Sequence, residues 1–135
     1  MILVDSGPLV ATIHAGDRHH TRCRNTLRSL REPLATVWPV VTEAMYLLGF
    51  SWKAQDALWS MLASEMLKLI LLDAKDAPRM RELMRKYRDL PMDFADAALV
   101  CVAERQKLRR VFTLDRRDFE IYRPRTLESF EICPD

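Results

Sequence analysis

The chain has 135 residues, 49% of them hydrophobic and 30% charged, with a formal net charge of +2. That length suffices for one hydrophobic core, and so mild a basic balance permits a polyanionic partner without demanding one. Three glycines argue against a phosphate-cradling glycine loop, and Cys23, Cys101 and Cys133 are too scattered for a disulfide framework or a metal-ligand pattern.

MILV reads as a short buried strand that stops at Asp5. DSGP is punctuation, and Pro8 suits the first turn of a helix reaching about His14. AGDRHHTRCRNTLRSL predicts a second helix, capped at Asp17, with His19 and His20 on its exposed side. EPLATVW supplies a second strand near 34–37. PVVTEAMYLLGF is a helix from Pro39, with Val40, Ala44, Leu47 and Leu48 at helical spacing and Gly49 marking its end. SWKAQDALWSMLASEM is another helix whose apolar side is Trp52, Leu58, Trp59 and Leu62. LKLILLD is a third strand, followed by the basic helix AKDAPRMRELMRKYRDL. MDFADAALVCVAERQKL starts a helix near Asp93, RRVFTLD is a fourth strand stopping at Asp115, and FEICP is a short edge strand. The alternation predicts a three-layer α/β/α fold with a central, mostly parallel sheet of four to five strands. With no linker or repeat, residues 1–135 are expected to form a single domain. The amino terminus lacks a positively charged signal-peptide region, and no apolar window of about 18 residues predicts a membrane span. A cytoplasmic setting without a membrane partner is the expectation, and scattered cysteines suit it.

Ligand sites in open parallel sheets form outside the carboxyl ends of the strands. Asp5 and Asp115 end the first and fourth strands. Glu43 lies in the first turns of the helix after the second strand, and Asp93 and Asp96 open the helix before the fourth. Four or five converging carboxylates cannot all stay ionised without a cation. Oxygen donors without His or Cys suit Mg²⁺ or Mn²⁺. Each acid also has a plainer reading. Asp5 suits a helix cap, Asp93 and Asp96 nearly make a capping box, Glu43 is a first-turn acid, and Asp115 and Asp118 suit turns.

Asp5 in LVDSG, Glu43 in VTEAMYLL, Asp96 in DFADAALVCVAE and Asp115 in VFTLDRRDF together resemble the PIN-domain ribonucleases, and among them the VapC-type toxins of toxin–antitoxin pairs. The most specific part is DFADAALVCVAER followed by VFTLDRRDF. The resemblance implies a metal-dependent endoribonuclease whose acidic quartet is Asp5, Glu43, Asp96 and Asp115 around Mg²⁺ or Mn²⁺. Asp93 is an additional candidate ligand. Ser6, Thr113 and Asp118 are candidates for the surrounding hydrogen bonds. Hydrolysis would leave a 5′-phosphate and a 3′-hydroxyl.

An acidic rim repels phosphate, so cations elsewhere must hold RNA. Arg79, Arg81, Arg85, Lys86 and Arg88 share one predicted helix, and Arg116 and Arg117 directly follow Asp115. Arg85, Arg116 and Arg117 are the candidate RNA contacts; a solvated surface is the plainer reading. Tyr46, Phe50, Trp52 and Trp59 read first as core packing. The resemblance implies instead a groove for a VapB-like antitoxin tail, and it also implies a homodimer. Two other classes compete. A receiver-like phosphotransfer domain needs an acidic pair after the first strand, where this chain has Asp5 and then Ser6; a haloacid-dehalogenase site needs an Asp where Gly7 stands. A catalytically inactive PIN-like RNA-binding module would keep the fold and lose the chemistry.

Overall fold

The computed structural model describes residues 1–125 and 128–134. Five three-residue strands form one sheet: β1 (Ile2–Val4), β2 (Leu34–Thr36), β3 (Leu67–Leu69), β4 (Arg110–Phe112) and β5 (Glu131–Cys133). Their order is β3-β2-β1-β4-β5 and every pairing is parallel. Parallel strands need helical crossovers that cover both faces, which is why β1 can be apolar throughout and wholly buried. The chain walks outward from β1 to β2 and β3, then crosses back past β1 to lay down β4 and β5. That reversal opens a crevice at the carboxyl ends of β1 and β4.

The helices are α1 (Ser6–Ile13), α2 (His20–Ser29), α3 (Trp38–Leu47), α4 (Trp52–Ala63), α5 (Ala77–Lys86), α6 (Phe94–Gln106) and α7 (Arg116–Ile121). α6 is the central one: every residue from Ala95 to Ala103 is buried. Its small alanines let α3 and α5 pack closely against it. A helix apolar on all sides has to be enclosed, and this one forms the core of its layer. Among the described residues no helix is long and apolar enough to cross a membrane.

Several elements differ from the sequence expectation. β4 ends at Phe112, three residues before Asp115, and Asp115 instead precedes α7, a helix that was not predicted. α7 forms because Phe119 is buried while Asp118 sits in its first turn, where the helix dipole favours an acid. α2 starts at His20, not after Asp17. The Asp17 carboxylate accepts the His19 N–H at 2.8 Å and its carbonyl accepts the His20 N–H at 3.0 Å, closing a separate turn. His20 is half-buried, one ring nitrogen 2.7 Å from the Ala11 carbonyl oxygen. On α4 only Leu58 is buried; Trp52 and Trp59 are exposed. The basic stretch divides into a short 3₁₀ turn, Ala74–Asp76, closed by reciprocal bonds with Asp73, and then α5.

Candidate functional site

Asp5 follows β1 directly and is buried. One carboxylate oxygen accepts the Ser6 N–H at 2.8 Å and caps α1. The other accepts the Thr113 hydroxyl at 2.7 Å, and that hydroxyl accepts the Asp115 N–H at 3.0 Å. The cap reading of Asp5 is therefore realised, and the same side chain ties the end of β1 to the segment after β4. Burial pushes its pKa from 3.8 up to about 6. Thr113 and Ser6 oppose that rise, while Asp115 and Glu43 add to it.

Asp96 lies in the first turn of α6, also buried. Its backbone N–H is capped by Asp93 at 2.9 Å, and its Oδ2 accepts the Tyr122 hydroxyl at 3.0 Å. Burial, then the charges of Asp5 and Asp93, push its pKa up to about 8. Glu43, half-buried on α3, accepts the Ser6 hydroxyl. Its pKa is raised by burial first and by the charges of Asp93 and Asp115, while the Ser6 hydroxyl opposes the rise. Asp115, more open to solvent, is raised by partial burial, then by Asp118 and Asp93.

Five acids from β1, α3, α6 and the start of α7 thus feel one another across the crevice, with Asp118 at its margin. The convergence is looser than expected: among the described residues no three His, Cys, Asp or Glu side chains close into a ready-made cage. The arrangement is an open rim. Its donor set consists of carboxylate and hydroxyl oxygens, which fits a hard divalent cation. The named partners of Asp5, Glu43 and Asp96 are hydroxyls, amides and other acids. Arg79, Arg105, Arg110, Arg116 and Arg125 pair instead with Glu32, Asp76, Glu82, Glu104, Glu120 and Glu131. A rim of carboxylates facing one another is where a divalent cation would relieve the most repulsion.

Of the basic candidates, Arg116 is exposed, pairs with Glu120 at 3.1 Å and donates to the Pro134 carbonyl at 3.1 Å. Arg117 is exposed beside it, and Arg85 is exposed in the last turn of α5, from which the chain returns to Asp93. The aromatic residues read first as core are on the surface. Tyr46 is 84% exposed, and Phe50 and Trp52 are exposed too. Tyr46 lines a groove of about 460 Å³ with Glu43, Asp93 and Phe94, so an apolar surface adjoins the acidic rim. The residue that sequence reasoning missed is Tyr122. FEIYRP carries no pattern that marks it; the only available signal is that a buried phenol needs a hydrogen-bond partner.

A PIN domain model matches residues 2–123, and the chain belongs to the PIN domain family. Ribonuclease VapC26 of Mycobacterium tuberculosis (strain ATCC 25618 / H37Rv) is 29% identical over 135 residues, spanning 98% of this chain and 100% of that protein. Among solved structures, Mycobacterium tuberculosis VapC20, described as a toxin that cleaves the sarcin–ricin loop, superposes with a TM-score of 0.76 at 19% identity, over 82% of this chain and 87% of its own. A toxin–antitoxin complex from Klebsiella pneumoniae gives a TM-score of 0.64 at 21% identity, over 88% of this chain and 90% of its own. These two structures share the fold.

Proposed function

We propose that the protein is a divalent-metal-dependent endoribonuclease, the toxin of a toxin–antitoxin pair, which works as one catalytic unit over residues 1–135. The observation that carries this reading is the buried Asp5, held between α1 and Thr113 while facing Glu43, Asp96 and Asp115. Family membership and the full-length match to a ribonuclease support it and disfavour the phosphotransfer alternative.

Asp5, Asp96 and Asp115 would hold Mg²⁺ or Mn²⁺, with Glu43 and Asp93 completing the rim. The bound cation supplies Lewis acidity and lowers the pKa of water. The remaining work falls to the chain. Asp5 is fixed at both oxygens, so its position costs no reorganisation when substrate arrives. Glu43, half-buried and raised in pKa, takes the proton of the attacking water. Attack on phosphorus breaks the bond to the 3′-oxygen, which takes a proton from solvent water while Glu43 returns its own to solvent, and the other product carries a 5′-phosphate. Arg85, Arg116 and Arg117 hold flanking phosphates. The partners are an RNA substrate, a VapB-like antitoxin seated in the groove beside Tyr46, and a second copy of the chain, all in the cytoplasm.

The test is RNA cleavage by the purified protein with Mn²⁺, with EDTA, and with Asp5→Asn. Cleavage should require the metal and Asp5. Undiminished cleavage in EDTA would overturn the mechanism, and metal-loaded protein that cleaves no RNA would favour the inactive binding module.

A further inference from the structure

Tyr122 closes α7 as its C-cap and is completely buried, yet its hydroxyl reaches across to Asp96 Oδ2 at 3.0 Å. The ring cannot swing away. Tyr87 and Phe119 meet it edge-on, with centroids 5.0 and 5.1 Å distant. The Tyr122 N–H donates to the Asp118 carbonyl at 3.1 Å. The next residue is held as well: the Arg123 N–H donates to the Tyr87 hydroxyl at 3.0 Å. Two residues on, the Arg125 N–H donates to Glu104 at 2.9 Å and its guanidinium pairs with Glu82 at 3.0 Å. The chain leaving α7 is thereby fastened to α5 and α6, and the phenol oxygen is delivered to one acceptor. A phenylalanine would fill the same volume without a hydroxyl to bury.

We infer that Tyr122 is a positioning residue for the metal site: its hydrogen bond to Oδ2 fixes how the Asp96 carboxylate is turned. This rests on the proposed function. Groups that orient a ligand from behind govern metal affinity as strongly as many ligands do. The placement has a second effect. α7 is six residues long, with Asp115 before its first residue and Tyr122 after its last. One rigid element therefore sets where Asp115 stands and how Asp96 is turned.

The experiment is Mn²⁺ titration of the metal-free protein, wild type against Tyr122→Phe, with melting temperatures of both. Tyr122→Phe should raise the Mn²⁺ dissociation constant about 10-fold or more, with a modest fall in the metal-free melting temperature because Asp96 Oδ2 loses its donor. Its RNA-cleavage deficit should shrink as Mn²⁺ is raised, with KM for RNA unaltered. Equal Mn²⁺ affinity in the two proteins overturns the role of Tyr122 alone; a wild type that binds no Mn²⁺ overturns the metal reading as well. Should Tyr122→Phe fail to fold, 3-fluorotyrosine at position 122, which keeps the hydroxyl, decides the matter. Its fluorine resonance should move on adding Mg²⁺, and by more than that of the same label at Tyr87. No movement at 122 overturns the proposal.

Discussion

At the amino-terminal end of α6, Asp96 is buried beside Asp5 and Asp93, and its pKa is pushed up to about 8. Eight residues on, Glu104 is nearly as enclosed, with 12% of its side chain exposed, and its pKa lies below the usual range. Burial acts on both in the same direction. What differs is the company. Glu104 accepts Arg79 Nε at 2.9 and 3.1 Å through its two oxygens, and the Arg125 N–H at 2.9 Å. Asp96 receives a phenol and a set of like charges. One helix thus carries a neutralised acid at its carboxyl end and an uncompensated one at its amino end. A carboxylate with a guanidinium serves the fold; one surrounded by carboxylates has been kept for something the fold does not need.

The largest expected effect comes from removing charge at the uncompensated end. Asp5→Asn should reduce RNA cleavage by at least two orders of magnitude, about 3 kcal/mol of transition-state stabilisation. Metal-free stability should be unchanged or slightly higher, because the amide oxygen can still cap α1 while one repelling charge is gone. Parallel cleavage assays and thermal melts would show it, and a large loss of stability would make Asp5 chiefly a helix cap. The compensated end should behave oppositely. Arg79→Met keeps the aliphatic stem but strips Glu104 of its guanidinium, and should cost about 2–3 kcal/mol of stability by chemical denaturation. Cleavage per folded molecule should stay within about twofold.

The pH dependence separates the two ends again. Asp5 and Asp96 titrate near 6 and near 8 in the folded protein, above the ordinary 3.8. Across that window the folded state binds more protons than the unfolded chain, so metal-free stability falls as pH rises. Their favourable contribution is complete below about pH 3.8 and is lost through about 6 and then about 8. Glu104, held below its ordinary range, contributes in the other sense and loses its part only as pH falls. Melting curves of the metal-free protein from pH 5 to pH 9 should slope downward, and saturating Mn²⁺ should flatten or reverse the slope. A flat metal-free profile would mean that the acids do not repel one another as described. The smallest effect belongs to Arg116, already engaged by Glu120 and Pro134. Arg116→Ala should change the slope of log affinity for RNA against log salt by about one unit or less.

Much of this was legible in the sequence. The apolar run ending at Asp5, the helix opening at Asp93 and the alternation of strands and helices follow from local rules, and the structure keeps them. The amphipathic reading of α4 failed because apolar spacing alone does not decide which side is covered; Trp52 and Trp59 follow the helical period and still face solvent. α7 was invisible because a six-residue helix has too few turns to show a period. Tyr122 escaped for a different reason: its partner lies 26 positions away on another element, and no local pattern encodes such a pair. The openness of the rim was hidden likewise, since acids at the right strand ends determine which edge they share but not how closely they approach.

β1 occupies the middle of the sheet, with β2 on one flank and β4 on the other. Asp5 receives Thr113 from 108 positions later, and Asp115 follows it. At about 5–20 residues per second, roughly 5–20 s separates synthesis of the first acid from synthesis of the last. During that interval β1 has an unpaired edge and the crevice lacks one wall. A nascent chain of this topology cannot assemble its acidic crevice until β4 has been made and has docked beside β1.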